Sequence, residues 1–332
     1  MSGAIELGVA RAGERVLLLG GYGCGNAGDE AMLAGFRHLV GGESLTVVSR
    51  RPAATERLHG VRAVGLARLP IELLRSDTLV IGGGALFGRD MGPLARLLPL
   101  VGLGARALGR RVVLAGINID DGTPRYLRPW LGLLGRASDA VIVRDHASVD
   151  AFAGIGVEAR FEPDFSRYVE PASPDVARSI LTAAGADPGR PIVGFALTAV
   201  DPVLAAAVEQ AMPAWLDAIP SAQAVFVATS RHPSVAGHDD LVLGRRLASA
   251  NPALRLVEGP LAPAEARALF AELDAVVAMR YHANLFARQA GTPLVSLPYA
   301  PKVWAWCDDE GIAPASVATV GPALAAIMEV AG

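Results

Sequence analysis

The stretch RVLLLG at residues 15–20, followed by GYGCGNAGDE at 21–30, decides the fold. A short run of leucine and β-branched residues that ends in glycine is typical of a buried strand. The glycines predict a tight turn, and the two acids that follow favour the start of a helix, which we place at residues 29–40. A strand, a glycine-rich turn and a helix in this order predict the first part of a βαβ unit.

The alternation of apolar runs with helix-like segments continues through the whole chain. Runs typical of strands also lie at 45–50, 78–83, 111–116, 140–144, 191–197, 224–230, 254–259, 275–279 and 293–298. Besides 29–40, segments typical of helices lie at 92–108, 123–137, 202–217, 239–250, 263–273 and 282–290. Strands that alternate with helices predict parallel sheets covered by helices, which is an α/β fold.

The chain is predicted to form two domains. A stretch rich in proline, aspartate and serine at residues 161–177 separates two similar halves, and 332 residues are enough for two domains. We therefore predict two Rossmann-like domains, residues 1–168 and 169–332, whose parallel sheets face each other across a cleft. A cleft between two domains is a common place for a ligand.

The composition argues against several classes of protein. Apolar residues make up 52% and charged residues 19%, which suits a folded core and not a disordered chain. The net charge is −3 and no basic run is present, so a nucleic-acid partner is not expected. Cys24 and Cys307 are far apart and form no metal or disulfide motif. Because no apolar leader opens the sequence, the expected compartment is the cytoplasm.

One apolar stretch raises the question of membrane association. The segment LARLLPLVGLGARALG at residues 94–109 is interrupted by Arg96 and Arg106. It predicts a surface helix, with peripheral contact at the inner face of the membrane as the alternative. The longest uncharged stretch, residues 311–328, contains prolines and glycine and is a poor membrane span. Homo-oligomer formation stays open.

Polar residues and glycines follow the ends of the predicted strands. In parallel sheets, ligands bind beyond the carboxyl ends of the strands, so we expect these residues to border a ligand site. The positions are Gly25, Asn26, Asp29, Glu30, Gly83, Gly84, Asn118, Arg144, Ser230, Arg231, His232, Arg280, His282 and Lys302.

The glycine-rich loop at residues 20–28 leads into a helix, and backbone N–H groups at a helix start favour an anion or a polar ligand. No GK[ST] follows, so the loop is not a P-loop. Asp29 and Glu30 would repel a pyrophosphate, but they could hold sugar hydroxyls or act as a base. The structural alternative is a tight turn with Asp29 as a helix cap.

The basic residues of the second half predict an anion site. Arg280 and His282 follow one strand and Lys302 follows the next strand along the chain. Arginine offers a bidentate fork, histidine a proton near neutral pH and lysine a point charge. Lys302 is also the only lysine among the 30 Lys and Arg residues. Singly, each could be an ordinary surface or packed residue; together they predict a pocket for a small dianion.

Three motifs resemble the polysaccharide pyruvyl transferase family, and together they span most of the chain. GGYGCGNAGDEAML at 20–33 resembles the family's GN-x-GDE segment, and IGGGALFGRD at 81–90 resembles its GGG-x-L segment. LDAVVAMRYHANLFARQAGTPLVSLPYAPKV at 273–303 resembles its R-x-H segment with the P-x-V strand and Y-x-x-K turn that follow. VRDHAS at 143–148 also resembles its R-[DE]-x-x-S segment.

The resemblance implies two facing Rossmann-like domains of the GT-B type, with the acceptor on the N-terminal side and the donor on the C-terminal side. It implies that phosphoenolpyruvate donates a pyruvyl group to a saccharide or lipid-linked saccharide, forming a pyruvate ketal and phosphate without a metal or organic cofactor. It implies that the donor-binding residues are Arg144, Arg280, His282 and Lys302. We expect Arg280, His282, Lys302 and Asp29 to be catalytic. We expect acceptor binding at Gly25, Asn26, Asp29, Glu30, Gly83 and Gly84.

The sequence departs from the family pattern at Gly21, Cys24 and Thr198, which bears on the acceptor more than on the chemistry. The main alternative is a GT-B glycosyltransferase with a nucleotide-sugar donor, for which Glu258 or Glu265 could bind the ribose. A second alternative is a binding protein of the same fold without catalytic activity.

Overall fold

The computed structural model describes two compact units. One unit comprises the chain up to Cys24 together with Asp29–Val169, and the other comprises Gly25–Gly28 and the chain from Glu170 onwards. Each unit contains one parallel sheet with helices, so the predicted α/β class with two Rossmann-like sheets is confirmed. The described residues are 7–84, 86–88, 93–120, 122–232 and 235–331, so residues 85, 89 and 90 of the motif at 81–90 lie outside them.

The first unit contains a seven-stranded sheet in which neighbouring strands run parallel. Its strands are β1 (Val16–Leu19), β2 (Leu45–Val48), β3 (Arg62–Val64), β4 (Thr78–Gly84), β5 (Arg111–Ile117), β6 (Ala140–Val143) and β7 (Arg160–Phe161). The spatial order is β3-β2-β1-β4-β5-β6-β7, so the direction of winding reverses between β1 and β4. Open α/β sheets bind ligands at such a reversal point.

Helices cover both faces of this sheet. They are α1 (Ala27–Val40), α2 (Pro52–His59), α3 (Leu69–Arg75), α4 (Pro93–Ala107), α5 (Arg128–Ala137) and α6 (His146–Ala153). Successive side chains of a strand point to opposite faces, and β1 divides accordingly. Leu17 and Leu19 pack in a core with residues of α3, α4 and α5, whereas Val16 and Leu18 pack with residues of α1. Hence α3, α4 and α5 share one face of the sheet and α1 lies on the other.

The second unit contains a five-stranded parallel sheet in the order β10-β9-β8-β11-β12. Its strands are β8 (Ile192–Ala196), β9 (Gln223–Val227), β10 (Leu254–Val257), β11 (Ala275–Ala278) and β12 (Leu294–Ser296). Its helices are α7 (Pro174–Ala183), α8 (Pro202–Asp217), α9 (Asp240–Ala250), α10 (Pro263–Ala271), α11 (Tyr281–Ala290), α12 (Pro301–Glu310) and α13 (Val317–Ala331). Winding reverses between β8 and β11, so this sheet repeats the order seen in the first unit.

Several elements differ from the sequence prediction. The strands β3 and β7 were not predicted because runs of 3 and 2 residues are too short to show a period. The helices α2, α3, α6, α7, α12 and α13 were also missed. Lys302 does not extend from β12 but lies in α12, because Pro301 occupies the first helical position and its fixed φ favours a helix start.

The apolar segment at 94–109 forms most of α4, a surface helix as predicted. Leu98 and Ala105 are buried against the sheet, whereas Leu97 and Leu100 are half exposed. Among the described residues, no helix combines the length and the apolar character needed to cross a membrane.

Candidate active site

Polar residues follow both strands at the reversal point of the second sheet. The register pairs Ala196 of β8 with Ala278 of β11, and the N–H of Met279 donates to Ala196 O at 3.1 Å. Thr198 and Arg280 each follow two residues after this pair, at the carboxyl edge of the sheet. Because α11 begins immediately after Arg280, a helix N-terminus lies at the same edge.

Arg280 is held in a buried ion pair with Asp240, the first residue of α9. Its Nε lies 2.8 Å from both carboxylate oxygens, and its Nη2 lies 2.6 Å from Oδ1. Nη2 also donates to the carbonyl of His238 at 3.2 Å. The Asp240 side chain is completely buried, and bidentate pairing in such a place fixes the guanidinium plane. Arg280 is therefore a positioned cation whose charge is largely balanced by Asp240.

Asp240 was missed by the sequence prediction, although it organises this edge. Its Oδ2 accepts the backbone N–H of Ser230 at 2.9 Å and the hydroxyl of Thr229 at 3.2 Å, so it also fixes the end of β9. The only sequence signal is the pair Asp239-Asp240 at a helix start, where acids are common for structural reasons.

Thr198, noted in the sequence only as a departure from the family pattern, is fully buried beyond β8. Its hydroxyl forms no hydrogen bond with any residue that the structure describes. A buried polar group without a partner costs about 1–3 kcal/mol, and a ligand that supplies the partner would recover that energy. Thr198 is therefore a candidate ligand-binding residue.

The ring of His282 lies directly against the backbone of Gly28. His282 is the second residue of α11 and is buried. A Cβ on Gly28 would lie 2.7 Å from Cε1 of His282 and closer still to Nδ1, so only glycine leaves room for the ring. Tyr281 packs edge-on against the same ring at a centroid distance of 5.2 Å. These contacts fix the imidazole at the start of α11.

On the prediction that His282 is catalytic, Gly28→Ala is expected to lower turnover about a hundredfold, because displacing a reacting group by about an ångström has an effect of this size. The added methyl group must push His282 out of its position. Steady-state kinetics would measure the loss, and circular dichroism would check that the chain folds. Gly104→Ala is the matched control: Gly104 also lies in a helix, and its Cβ would meet no atom within 4 Å. Equal activity of the two variants would contradict this role for Gly28.

The segment Gly25–Gly28 belongs to the second unit because it is fastened to the end of β9. Ala27 N donates to Thr229 O and Arg231 N donates to Gly25 O, both at 2.8 Å. The side-chain Oδ1 of Asn26 accepts the N–H of Gly28 at 2.9 Å. Gly25 and Asn26, predicted to bind the acceptor, thus also hold Gly28 beside His282.

Two other residues predicted after β9 make local contacts. Arg231 Nε donates to Asp239 Oδ1 at 3.0 Å. His232 Nδ1 accepts the N–H of Val235 at 3.0 Å. Both contacts lie between β9 and α9.

Lys302 occupies the second position of α12, as His282 does in α11. β11 and β12 are neighbours in the sheet, so the helices that follow them begin at the same edge. Lys302 is half-buried, and no carboxylate of the described residues lies within ion-pair distance of it. A cation in the first turn of a helix is unfavourable unless an anion offsets it. The two helix starts therefore present positive charge at one edge, which favours an anion.

A second group of predicted residues converges at the reversal point of the first sheet. Gly83 and Gly84 have φ of 82° and 103°, which other residues rarely adopt. A Cβ on Gly84 would meet the carboxylate of Asp29, and a Cβ on Gly83 would meet the hydroxyl of Tyr22. Tyr22 donates to Gly82 O at 2.9 Å. Burial, with the charges of Asp29 and Glu30, raises the pKa of Tyr22, so its hydroxyl keeps the proton that it donates.

Glu30 is buried and both of its carboxylate oxygens are engaged. Oε1 accepts the N–H of Gly23 at 3.0 Å, and Oε2 lies 2.8 Å from Nε2 of His59. These bonds tie the glycine loop to α2, so the structure assigns Glu30 a role in holding the loop. Its predicted contact with an acceptor stays a prediction.

Arg144 follows β6 in the first unit, whereas Arg280, His282 and Lys302 lie in the second. Its guanidinium is paired with Asp164 at 3.2 Å and donates to Asn118 Oδ1 at 3.0 Å. Both ionic side chains are only 1% exposed. Its predicted contact with a donor therefore stays a prediction.

Comparison with solved structures identifies the fold. UDP-GlcNAc 2-epimerase from Neisseria meningitidis, bound to UDP-GlcNAc, has a TM-score of 0.63 at 9% identity over 95% of this chain and 91% of its own. The Methanocaldococcus jannaschii UDP-GlcNAc 2-epimerase has a TM-score of 0.61 at 11% identity over 95% and 91%. A glycosyltransferase from Rickettsia africae has a TM-score of 0.51 at 10% identity over 96% and 92%. The fold is therefore GT-B-like, as predicted.

Sequence comparison identifies the family. No curated protein sequence matches the chain. The family model described as polysaccharide pyruvyl transferase matches residues 26–301, which include the end of the glycine loop, most of both sheets and the residues Arg280 and His282. The resemblance inferred from the three motifs is thus confirmed, and the chain belongs to the polysaccharide pyruvyl transferase family.

Proposed function

We propose that this protein transfers the pyruvyl group of phosphoenolpyruvate to two hydroxyls of a saccharide, forming a pyruvate ketal and releasing phosphate. The observation that carries the proposal is the pair His282 and Lys302. Each is the second residue of a helix, and the two helices follow neighbouring strands. Phosphoenolpyruvate carries a phosphate and a carboxylate, so it suits an edge with two helix N-termini and several cations.

Three residues of the second unit have distinct parts in donor binding. Lys302 supplies a mobile point charge for the phosphate or the carboxylate. Arg280, fixed by Asp240, supplies a guanidinium of set orientation. The buried hydroxyl of Thr198 supplies a hydrogen bond to an oxygen of the donor. Arg144 is a further candidate from the first unit.

The proposed chemistry begins with protonation of the donor. His282 acts as the acid that protonates the methylene carbon, which creates oxocarbenium character at C2. A sugar hydroxyl attacks C2, and the C2–O bond to phosphate then breaks. A second hydroxyl closes the ketal. Of the two hydroxyl protons, one balances the proton gained by the methyl group and the other leaves with phosphate.

The acceptor hydroxyl needs a base, for which Asp29 is the candidate. Asp29 follows Gly28 directly in the chain, and its carboxylate lies over the turn at Gly84. Gly83 and Gly84 leave the backbone open to close approach by a sugar ring. Asn26 and Gly25 complete the proposed acceptor set. No step requires a metal or an organic cofactor.

The rival donor is a nucleotide sugar, such as the one bound by the Neisseria epimerase. The two glutamates considered for binding its ribose contact other residues of this chain. Glu265 accepts the N–H of Ala262 at 2.8 Å at the start of α10. Glu258 pairs with Arg245 at 2.9 Å on the surface. These contacts favour phosphoenolpyruvate over the rival.

Phosphoenolpyruvate is expected to raise the unfolding temperature of the wild type, with about 2.7 kcal/mol of stabilisation when its concentration is a hundred times Kd. Lys302→Ala should lose most of this shift, and Lys302→Arg should recover only part of it, because a planar fork replaces a point charge. Differential scanning fluorimetry with phosphoenolpyruvate and with UDP would measure both effects. Arg57→Ala, which removes an exposed cation on α2, is the control. A shift with UDP alone would support the glycosyltransferase instead.

A further inference from the structure

Apolar side chains cover the outer face of α4 and α5. Leu97 and Leu100 are each 52% exposed on α4, and Trp130 and Leu133 are 46% and 45% exposed on α5. Within each helix these residues are three apart, so each pair lies on one side of its helix. Gly102 of α4 packs against Leu134 of α5, where an added Cβ would lie 2.5 Å from Cδ1. The two exposed pairs therefore belong to one adjoining helix layer, and we call their solvent side the outer face.

Exposed large apolar residues are concentrated in the segment of the chain that contains this helix layer. Nine of the sixteen that are exposed in the described chain lie between residues 66 and 133: Leu66, Ile71, Leu74, Leu97, Leu100, Leu108, Tyr126, Trp130 and Leu133. The segment includes α3, α4 and α5, which share one face of the sheet. Arg110 Nη2 donates to Leu74 O at 3.1 Å, so the end of α3 adjoins the turn after α4. Such segregation marks an interaction surface and not scattered exposure.

The charged residues of α4 and α5 themselves are all arginines, of which Arg106 is paired with Asp139, just after α5, at 3.1 Å. α4 contains Arg96 and Arg106, α5 contains Arg128 and Arg136, and neither helix contains an acidic residue. Arg96 and Arg125 are exposed and form no ion pair with any residue that the structure describes. The outer face therefore combines apolar side chains, one of them tryptophan, with arginine. This combination is typical of proteins that lie on a membrane with anionic lipids.

We propose that the outer face of α4 and α5 docks on the surface of a membrane that contains anionic phospholipid. Leucine and tryptophan would enter the interface, and the arginines would contact the headgroup phosphates. A second copy fits less well, because a twofold contact through this face would bring together Arg96 and Arg125 of both copies, and no acid of the described residues pairs with either of them. Docking would hold the protein where a lipid-linked acceptor is found. The proposal rests on residues outside the candidate active site, so it stands whichever donor is used.

Vesicle flotation tests the proposal on the full chain. The wild type is expected to float with vesicles of phosphatidylcholine and phosphatidylglycerol, to float less with phosphatidylcholine alone, and to lose binding at high salt. Leu97→Ser/Leu100→Ser and Arg96→Gln/Arg125→Gln should each lower the partition coefficient about tenfold or more. Val176→Ser/Val203→Ser, which removes exposed apolar side chains from the second unit, should leave it unchanged.

Tryptophan fluorescence provides a second test, which uses only conservative Trp→Phe substitutions. Trp130 and Trp304 are both about half exposed, whereas Trp215 and Trp306 are buried. Anionic vesicles should shift the emission of the wild type to shorter wavelength. Trp130→Phe should remove that shift while flotation persists, and Trp304→Phe should keep it.

Three results would overturn the proposal. The first is a wild type that floats with neither kind of vesicle. The second is flotation that the control variant loses as strongly as the outer-face variants do. The third is self-association in analytical ultracentrifugation that the Leu97→Ser/Leu100→Ser variant abolishes, without flotation of the wild type, because it would assign the outer face to a second copy.

Discussion

His282→Gln is expected to lower the turnover number by roughly 10²–10⁴, the range by which a positioned general acid accelerates a reaction. Glutamine keeps a hydrogen-bonding side chain in the first turn of α11 but cannot deliver a proton to carbon. The thermal shift with phosphoenolpyruvate should change little, because Lys302 and the helix starts remain. Phosphate release from phosphoenolpyruvate with a saccharide acceptor would measure turnover, and scanning fluorimetry would measure donor binding.

His38→Gln is the matched control for this experiment. His38 is exposed near the end of α1 in the first unit and stacks on Tyr168 at a centroid distance of 6.1 Å. Its replacement should leave turnover within about twofold, as expected for a surface substitution. Undiminished turnover in His282→Gln would remove His282 from the reaction and leave it a packing role against Gly28.

Asp240→Asn is expected to lower the free energy of unfolding by about 3–5 kcal/mol, because it leaves the charge of Arg280 buried without its partner. The neutral amide also accepts less strongly from the backbone of Ser230. Urea unfolding followed by circular dichroism would measure the loss. Bound phosphoenolpyruvate should restore part of it, since an anion can replace the missing carboxylate charge.

Two comparisons make the Asp240 prediction specific. In Asp240→Asn/Arg280→Met no charge remains buried, so it should be more stable than Asp240→Asn alone while having lost donor binding. Asp175→Asn removes the carboxylate from an exposed pair with Arg178 at 4.0 Å and should change stability by less than about 1 kcal/mol. If Asp240→Asn is no less stable than Asp175→Asn, the buried pair does not organise this edge.

Most strands were predictable from the sequence, whereas several helices, α13 among them, were not. Ten of the strands are buried runs flanked by glycine, proline or polar residues, and their pattern is visible in the sequence alone. β7 has two residues, which is too few to show a period. The start of α12 was missed because the apolar run before it was extended through Pro298, although β12 ends at Ser296.

The candidate site was only partly predictable. Arg280, His282 and Lys302 were found because basic residues after buried strands are unusual and match a family motif. Asp240 was not found, because an acid at a helix start is common and its partner lies 40 positions further along the chain. Glu30 was predicted as an acceptor-binding residue, but its contacts with Gly23 and His59, which explain its burial, were not predicted.

By itself, the sequence determined the α/β class, the two repeating halves and the family, because periodicity and motifs are local properties of the chain. Only the tertiary structure decided that Asp240 neutralises Arg280, that Gly28 makes room for His282, and that α4 and α5 expose an arginine-flanked apolar face. Each of these depends on which strands become neighbours and which helix faces are covered. Long-range packing sets those relations, and residues far apart in sequence carry no local sign of them.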